Sequence, residues 1–138
     1  MREIKFRAWD TQNKRIFMVT QMSFRPSNDV FRIWDDTEDF HIENPTDCIL
    51  MQFTGLHDKN GREIYEGDIV YAPLNQSRYE ICIGTYSDLS EDSYIVHYGV
   101  YGRRINALSK SYEGMGGAER YVEVIGNIYE NPELLEAK

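Results

Sequence analysis

The chain has 138 residues, 41% of them hydrophobic, and a formal net charge of −8 at pH 7. A chain of this length buries about two-thirds of its unfolded surface, so it can fold without a disulfide or metal staple. The negative charge argues against nucleic acid as a default ligand, because sequence-independent affinity comes from Lys and Arg, and no apolar run approaches the roughly 18 residues of a membrane helix.

Cysteine usage and the amino terminus predict the compartment. Cys48 and Cys82 lie in β-like segments and do not form a Cys-x-x-Cys pair. Without an apolar leader, we expect a cytoplasmic protein with reduced, buried thiols. A disulfide between the two cysteines is the open alternative.

Two β-hairpins are predicted at the start of the chain. Apolar and polar residues alternate from Ile4 to Trp9, and a second run from Arg15 to Thr20 returns after a polar turn. Met22 to Arg25 and Val30 to Trp34 flank a Pro-Ser-Asn-Asp turn and predict the second hairpin.

The centre of the chain carries its densest turn signal. Asn60-Gly61 predicts a two-residue hairpin turn with a positive φ at both positions, and the Asp58 side chain can accept bonds from amides ahead of it. A calcium loop fails on spacing, because its first and twelfth ligands would be Leu56 and Gly67. The sequence therefore predicts a turn and no metal site.

Short strands separated by tight turns dominate the remaining chain, a pattern typical of a sandwich or small barrel. Near the carboxy end, Asn131 can cap a short helix, Pro132 suits its first position and Glu133 favours its positive end. Docking of a leucine would stabilise this helix of about two turns, and a further short helix is predicted at Ile105 to Ser109.

The later strands are predicted at Cys48 to Phe53, Asp68 to Ala72, Tyr79 to Tyr86, Tyr94 to Tyr101 and Tyr121 to Ile125.

Three blocks of the sequence resemble the YopX family of small phage and prophage proteins. Thr54-Gly55-Leu56, Asp58, Asn60-Gly61 and the run Glu63 to Val70 resemble its central signature, and Arg2 to Asp10 and Val122 to Leu135 resemble its two ends. Residues 74 to 121 carry no matching signature. The turn motif of the central block comprises Gly55, Asp58, Asn60, Gly61, Gly67 and Asp68.

The resemblance implies a mainly β fold with an SH3-like barrel in its central part, and it implies self-association. It transfers no activity and no catalytic residues. We therefore expect an N-terminal β-hairpin lobe at residues 1–48 and an SH3-like β-barrel with a short C-terminal helix at residues 49–138, or one continuous domain.

Charge and aromatic residues suggest surfaces for binding. Lys5 and Arg7 can share one face of the first strand with Trp9 as an apolar anchor, and as an edge strand it could meet the acidic 29 to 47 segment of a neighbour. The alternative is that these charges simply solvate an edge. Six of ten tyrosines lie between residues 86 and 121; they suit an interface, although strand propensity alone also explains them. The candidate interaction residues are Lys5, Arg7, Trp9, Tyr86, Tyr98 and Tyr101.

Motifs for chemistry are missing from the sequence. His41, His57 and His97 occur singly, so we expect no metal or cofactor, and no Gly-x-Ser-x-Gly elbow is present. We expect a non-catalytic interaction or assembly protein that forms a homo-oligomer or binds a host or phage protein. The alternative is a carboxylate-dependent hydrolase or nucleic-acid-processing accessory whose acids meet only in the fold. A pocket with two or more carboxylates and a His or Arg would favour the enzyme, and an aromatic patch the binding protein.

Overall fold

The computed structural model describes residues 3–24, 26, 30–35, 41–42, 47–89, 94–105 and 112–136. These residues form a mainly β protein with two antiparallel sheets. The predicted helix at residues 105–109 falls outside the described residues after Ile105. The strands are β1 (Phe6–Asp10), β2 (Arg15–Phe24), β3 (Val30–Asp35), β4 (His41–Ile42), β5 (Cys48–His57), β6 (Glu63–Tyr65), β7 (Asp68–Ala72), β8 (Ser77–Leu89), β9 (Tyr94–Arg104), β10 (Tyr112–Gly114) and β11 (Glu123–Asn127).

The chain divides into two compact units, Met1–Phe53 and Thr54–Lys138. The division falls inside β5, a few residues after the boundary expected between residues 48 and 49. None of the helices among the described residues has the length and hydrophobicity of a membrane span.

In the first unit the strands are ordered β4-β3-β2-β1-β5. The first predicted hairpin forms, with Ala8 opposite Phe17, and the Asp10 carboxylate accepts bonds from the Gln12 and Asn13 amides at 3.0 and 3.1 Å to hold its turn. The predicted strands Arg15 to Thr20 and Met22 to Arg25 form the single strand β2, which ends at Phe24, and Arg25 lies outside the described residues. Ala8 and Phe17 pack with Ile33 and Cys48 in the core of this unit.

The first strand of the chain is not an edge strand. β1 pairs with β2 on one side and with β5 on the other, so the prediction of an exposed edge at Ile4 to Trp9 is wrong. The alternation that predicts a strand does not reveal its neighbours, and the second neighbour arrives only with Cys48. Arg7 lies between Met18 and Met51 in the register and is 8% exposed, so it is not an outward basic contact.

The second unit holds a five-stranded sheet in the order β10-β9-β8-β7-β11. Its ends, β10 and β11, are joined by turns and a 3-10 helix (Glu119–Tyr121) and do not pair with each other. The predicted closed, SH3-like barrel is therefore not found in the described part of the chain. Its core consists of Ile64, Val70, Tyr79, Ile81, Met115, Val122 and Val124.

The central hairpin turn differs in type from the prediction. Gly61 has a φ of +83°, but Asn60 keeps a negative φ. The Gly61 amide donates to the Asp58 carbonyl at 3.0 Å, and the Asp58 amide donates to the Arg62 carbonyl at 2.8 Å. This is the three-residue hairpin loop that ends in a left-handed residue, so a positive φ is needed only at Gly61.

The Asp58 side chain ties this turn to a distant strand. Its Oδ1 accepts from the Asn60 and Arg62 amides, each at 2.9 Å, and its Oδ2 accepts from the Val124 amide of β11, also at 2.9 Å. The Lys59 amide adds a bond of 3.0 Å to the Val122 carbonyl. Turn and strand are thus fixed by one buried carboxylate.

The end of the chain forms a 3-10 helix, Pro132–Leu135, in place of the predicted α-helix. Proline occupies its first turn as expected, but the Asn131 side chain does not cap it and instead accepts from the Asn127 amide at 3.2 Å. A Cβ on Gly126 would lie 2.9 Å from Leu134 Cδ1. Leu134 therefore docks against β11 at a position that only glycine leaves open.

Candidate interaction site

The β8–β9 hairpin extends beyond the strands that flank it. The two strands pair from Tyr79–Arg104 to Leu89–Tyr94. Among the described residues, β7 pairs with β8 only at residues 77–80 and β10 pairs with β9 only at residues 101–103. We call residues 82–89 and 94–99 the hairpin arm. Within the described residues, neither outer side of this arm pairs with another strand.

Four aromatic rings form a continuous row on this hairpin and β10. The Tyr86 ring centroid lies 5.1 Å from that of His97 and 4.8 Å from that of Tyr101, and Tyr101 meets Tyr112 edge-on at 5.8 Å and 78°. These distances fall within the range of favourable aromatic pairs. We call His97, Tyr86, Tyr101 and Tyr112 the aromatic row.

Glycines make room beside the row. A Cβ on Gly114 would lie 2.5 Å from the Tyr86 hydroxyl oxygen, so this ring reaches across to β10 because Gly114 has no side chain. Gly84 and Gly99 are opposite each other in the register, and a Cβ on either would meet nothing within 4 Å. This part of the hairpin surface is therefore open.

An open cavity of about 200 Å³ lies next to the aromatic row. It is smaller than the roughly 300–1,000 Å³ of typical sites for drug-sized ligands and cofactors. The residues that line this cavity do not include Asp or Glu. The cavity therefore does not supply the acids that the alternative hydrolase needs. The lining residues are Thr85, Tyr86, Ser87, Val96, Tyr101 and Tyr112.

The row ends beside an ion pair and a thiol. Arg103 donates to the Glu80 carboxylate, its partner across the two strands. Burial, together with the nearby Glu80 carboxylate, raises the pKa of Cys82 to about 11. Because the thiolate is the nucleophilic form, Cys82 is not an activated nucleophile at neutral pH.

The structure separates the predicted interaction residues into groups. Tyr86 and Tyr101 come together in the aromatic row, whereas Tyr98 is opposite Thr85 and is 81% exposed. In the first unit, Lys5 pairs with Glu3 at 2.8 Å and lies 5.1 Å from the Phe53 ring centroid. Trp9 is partly buried on β1.

Sequence reasoning missed two members of the row and the glycines beside it. In the sequence, His97 suggests only a metal ligand, and Tyr112 does not stand out among the tyrosines of this region. Alternation within a strand places residues on a face, but it does not give the register that brings Tyr86 opposite His97. Gly84 and Gly99 indicate an open surface on the hairpin, but only the register shows that they lie opposite each other.

The side chains of the predicted turn motif make hydrogen bonds that hold the fold. Burial alone would raise the pKa of Asp58, but the amides of Val124, Arg62 and Asn60 outweigh it and hold the pKa below its ordinary value. Asp68 is buried and accepts from the Tyr65 amide at 2.7 Å. The other glycines of the motif, Gly55 and Gly67, have φ values of +85° and +88°. In the described part of the chain, no group of three or more His, Cys, Asp or Glu residues could hold a metal ion.

The family model described as YopX protein matches residues 5–136. The chain belongs to the YopX family. This YopX-family chain is also similar to protein EF1440 from Enterococcus faecalis, whose crystal structure it matches with a TM-score of 0.63 and 28% sequence identity. That match covers 99% of this chain and 100% of EF1440. Comparison with the curated proteins gives no match.

Proposed function

We propose that this YopX-family chain is a non-catalytic interaction or assembly protein. It acts in the cytoplasm of a bacterial host, in the phage or prophage setting that the resemblance implies, by binding further copies of itself or a host or phage protein. The observation that carries the proposal is the hairpin arm, which no described strand flanks and whose Val96 and Tyr98 are 56% and 81% exposed.

The physical support comes from what a partner would add. A two-stranded hairpin is marginally stable in water by itself, so an arm without flanking strands gains stability when a partner covers it. Tyrosine offers a large, rigid contact area with a polar tip and loses little side-chain freedom on binding. Tyrosine is accordingly enriched among the residues that dominate binding energy at interfaces.

The alternative of a hydrolase or nucleic-acid-processing accessory receives less support. The residues that line the cavity contain no carboxylate, whereas glycoside hydrolysis and related chemistry need acids that face each other. The net charge of −8 opposes binding to phosphates.

The test compares two exposed tyrosines. Tyr98→Ala removes the exposed ring of the arm, and Tyr121→Ala removes a ring that is 55% exposed outside it. Self-association is measured by sedimentation velocity of the purified protein, and other partners by quantitative co-purification from host cells. We expect Tyr98→Ala to weaken complex formation by about tenfold or more, as for an interface anchor, and Tyr121→Ala to leave it unchanged. Equal behaviour of the two variants, or no complex of the unmodified protein in either assay, would overturn the proposal.

A further inference from the structure

The outer side of β9 in the hairpin arm carries a row of backbone groups that no described strand uses. The Val100 carbonyl accepts from the Met115 amide at 3.0 Å, so Val100 points its backbone groups away from β8. The Ile105 amide donates to the Arg78 carbonyl of β8 at 2.9 Å, which places odd-numbered residues toward β8. Because backbone direction alternates along a strand, Tyr94, Val96 and Tyr98 direct their N–H and C=O groups outward.

As far as residues 94–99 and the other described residues show, this edge lacks the features that usually prevent strands from pairing between molecules. Such features include charged residues, proline and β-bulges. Residues 94–99 read Tyr-Ile-Val-His-Tyr-Gly, without Lys, Arg, Asp, Glu or Pro, and their register with β8 is continuous. Val96 and Tyr98 lie on the same face because side chains alternate along a strand, and both are exposed.

We propose that two copies of this chain pair β9 with β9, antiparallel, about a twofold axis at Val96. The inference rests on the proposed function, and it names the partner and the geometry. Val96 would lie opposite Val96 of the second copy, and Tyr94 opposite Tyr98. Each of these residue pairs would exchange two backbone hydrogen bonds, so every free outward group of the edge finds a partner.

The position of the twofold axis follows from which backbone groups of β9 already have hydrogen-bond partners within the chain. An axis at His97 would place residue 94 opposite Val100, whose carbonyl already binds the Met115 amide. An axis at Ile95 would place Tyr98 opposite residue 92, which precedes the first residue of β9. An axis at Val96 uses the free edge from Tyr94 to Tyr98 and nothing else.

The sequence of the edge suits pairing with itself. Each copy has a net charge of −8, yet the paired segment would place no two like charges opposite each other. Like charges directly opposite destabilise a strand pair, whereas aromatic and β-branched pairs stabilise it. Two identical copies of this edge therefore complement each other.

The test exploits the self-opposition of residue 96. Val96→Glu and Val96→Lys each place like charges opposite each other in a dimer of identical copies, whereas a mixture of the two variants places opposite charges there. We expect each variant alone to dimerise about tenfold or more weakly than the unmodified protein, a change of one decade in Kd. We expect an equimolar mixture to recover dimers that are heterodimers. Sedimentation velocity gives the affinity, and native mass spectrometry distinguishes the heterodimer by its mass.

Thr85→Glu is the matched control, because Thr85 is exposed on β8 of the same arm and opposite Tyr98. It should leave dimerisation unchanged, and circular dichroism should show that all three variants are folded. A dimer that survives both single variants, or a mixture that recovers nothing, would overturn the β9 pairing while self-association itself stands. An unmodified protein that stays monomeric while it co-purifies with another protein would overturn this pairing and leave the proposed function standing.

Discussion

Gly61 closes the turn between β5 and β6 with a φ of +83°, and a Cβ at this position would meet no atom within 4 Å. Gly61→Val should therefore lower the free energy of unfolding through backbone strain alone, by about 1–2 kcal/mol, because a β-branched residue strongly resists the left-handed region. Urea unfolding measures the change.

Gly116→Val provides the control for this prediction. Gly116 is exposed, has equally open space around a Cβ and does not have a left-handed φ. It should change the free energy of unfolding much less than Gly61→Val does. Equal effects of the two substitutions would contradict the assigned turn.

Because of Asp58, we expect the free energy of unfolding to decrease at low pH. Burial alone would raise its pKa, but the backbone amides of Val124, Arg62 and Asn60 hold the folded-state pKa below the ordinary 3.8. The stabilisation is therefore fully present above pH 3.8 and is lost as the pH falls through the lower folded-state pKa. Asp58→Asn should be less stable at neutral pH and should show a weaker loss of stability in acid. Parallel acid dependence of the two proteins in urea unfolding would contradict this role.

At the scale of single residues, the sequence correctly indicates that Gly61 needs a left-handed φ and that Asp58 supports the turn. It does not indicate the loop length. The Asn-Gly pair suits a two-residue turn locally, but the Lys59 amide bonds to Val122 and the Asp58 carboxylate bonds to the Val124 amide. Those distant contacts select the longer loop, and no local pattern contains them.

Among the elements, the C-terminal 3-10 helix should depend on Gly126 of β11. A Cβ there would lie 2.6 Å from Asn131 Oδ1 and 2.9 Å from Leu134 Cδ1, so Gly126→Ala must displace the helix. We expect a loss of about 1–3 kcal/mol, typical of overpacking, measured by urea unfolding. Gly116→Ala serves as the control, because its Cβ would enter open space. An unchanged free energy of unfolding in Gly126→Ala would show that Leu134 does not dock there.

Most strand positions could be predicted at this scale, because alternation and turn residues are local signals. The short strands β4 and β10 were not predicted, and Tyr121, predicted to begin a strand, lies in a 3-10 helix two residues before β11. β7 agrees with the predicted Asp68 to Ala72 residue for residue. Strand neighbours could not be predicted, because pairing depends on contacts between distant segments. For that reason β1 is a central strand where an edge was expected, and the aromatic row appears only with the β8–β9 register.

For the whole molecule, the two ways of associating respond oppositely to salt. The electrostatic pairing expected from the sequence, between the amino-terminal strand and the acidic 29–47 segment, is not open to β1 as an edge because β1 has a neighbour on each side. Any such attraction between charged surfaces would weaken as salt shortens the screening length from about 10 Å at 0.1 M to about 3 Å at 1 M. Pairing through the uncharged β9 edge brings together two chains of charge −8, so salt should strengthen it by screening their repulsion. Sedimentation velocity at the two salt concentrations separates the cases. A dimer that dissociates at high salt would contradict pairing at β9.

The succession of short strands and tight turns correctly indicates a mainly β fold, and the three blocks of the sequence correctly indicate the family. Closure into a barrel could not be judged from them. It depends on whether the end strands meet, and β10 and β11 do not pair. The candidate site lies in residues 74–121, where no block of the sequence resembles the family and the resemblance therefore predicts no site residues.

The bond from the Asp58 carboxylate to the Val124 amide also orders events during synthesis. The Asn60 and Arg62 amides leave the ribosome almost together with Asp58, so the turn can start at once. The third amide follows 66 residues later, which at about 5–20 residues per second is a delay on the order of 3–13 s. Throughout that interval the nascent chain holds a half-satisfied carboxylate and a β7 edge that still waits for β11. The central family block therefore forms its last hydrogen bond only after the carboxy-terminal family block, which contains Val124, has been translated.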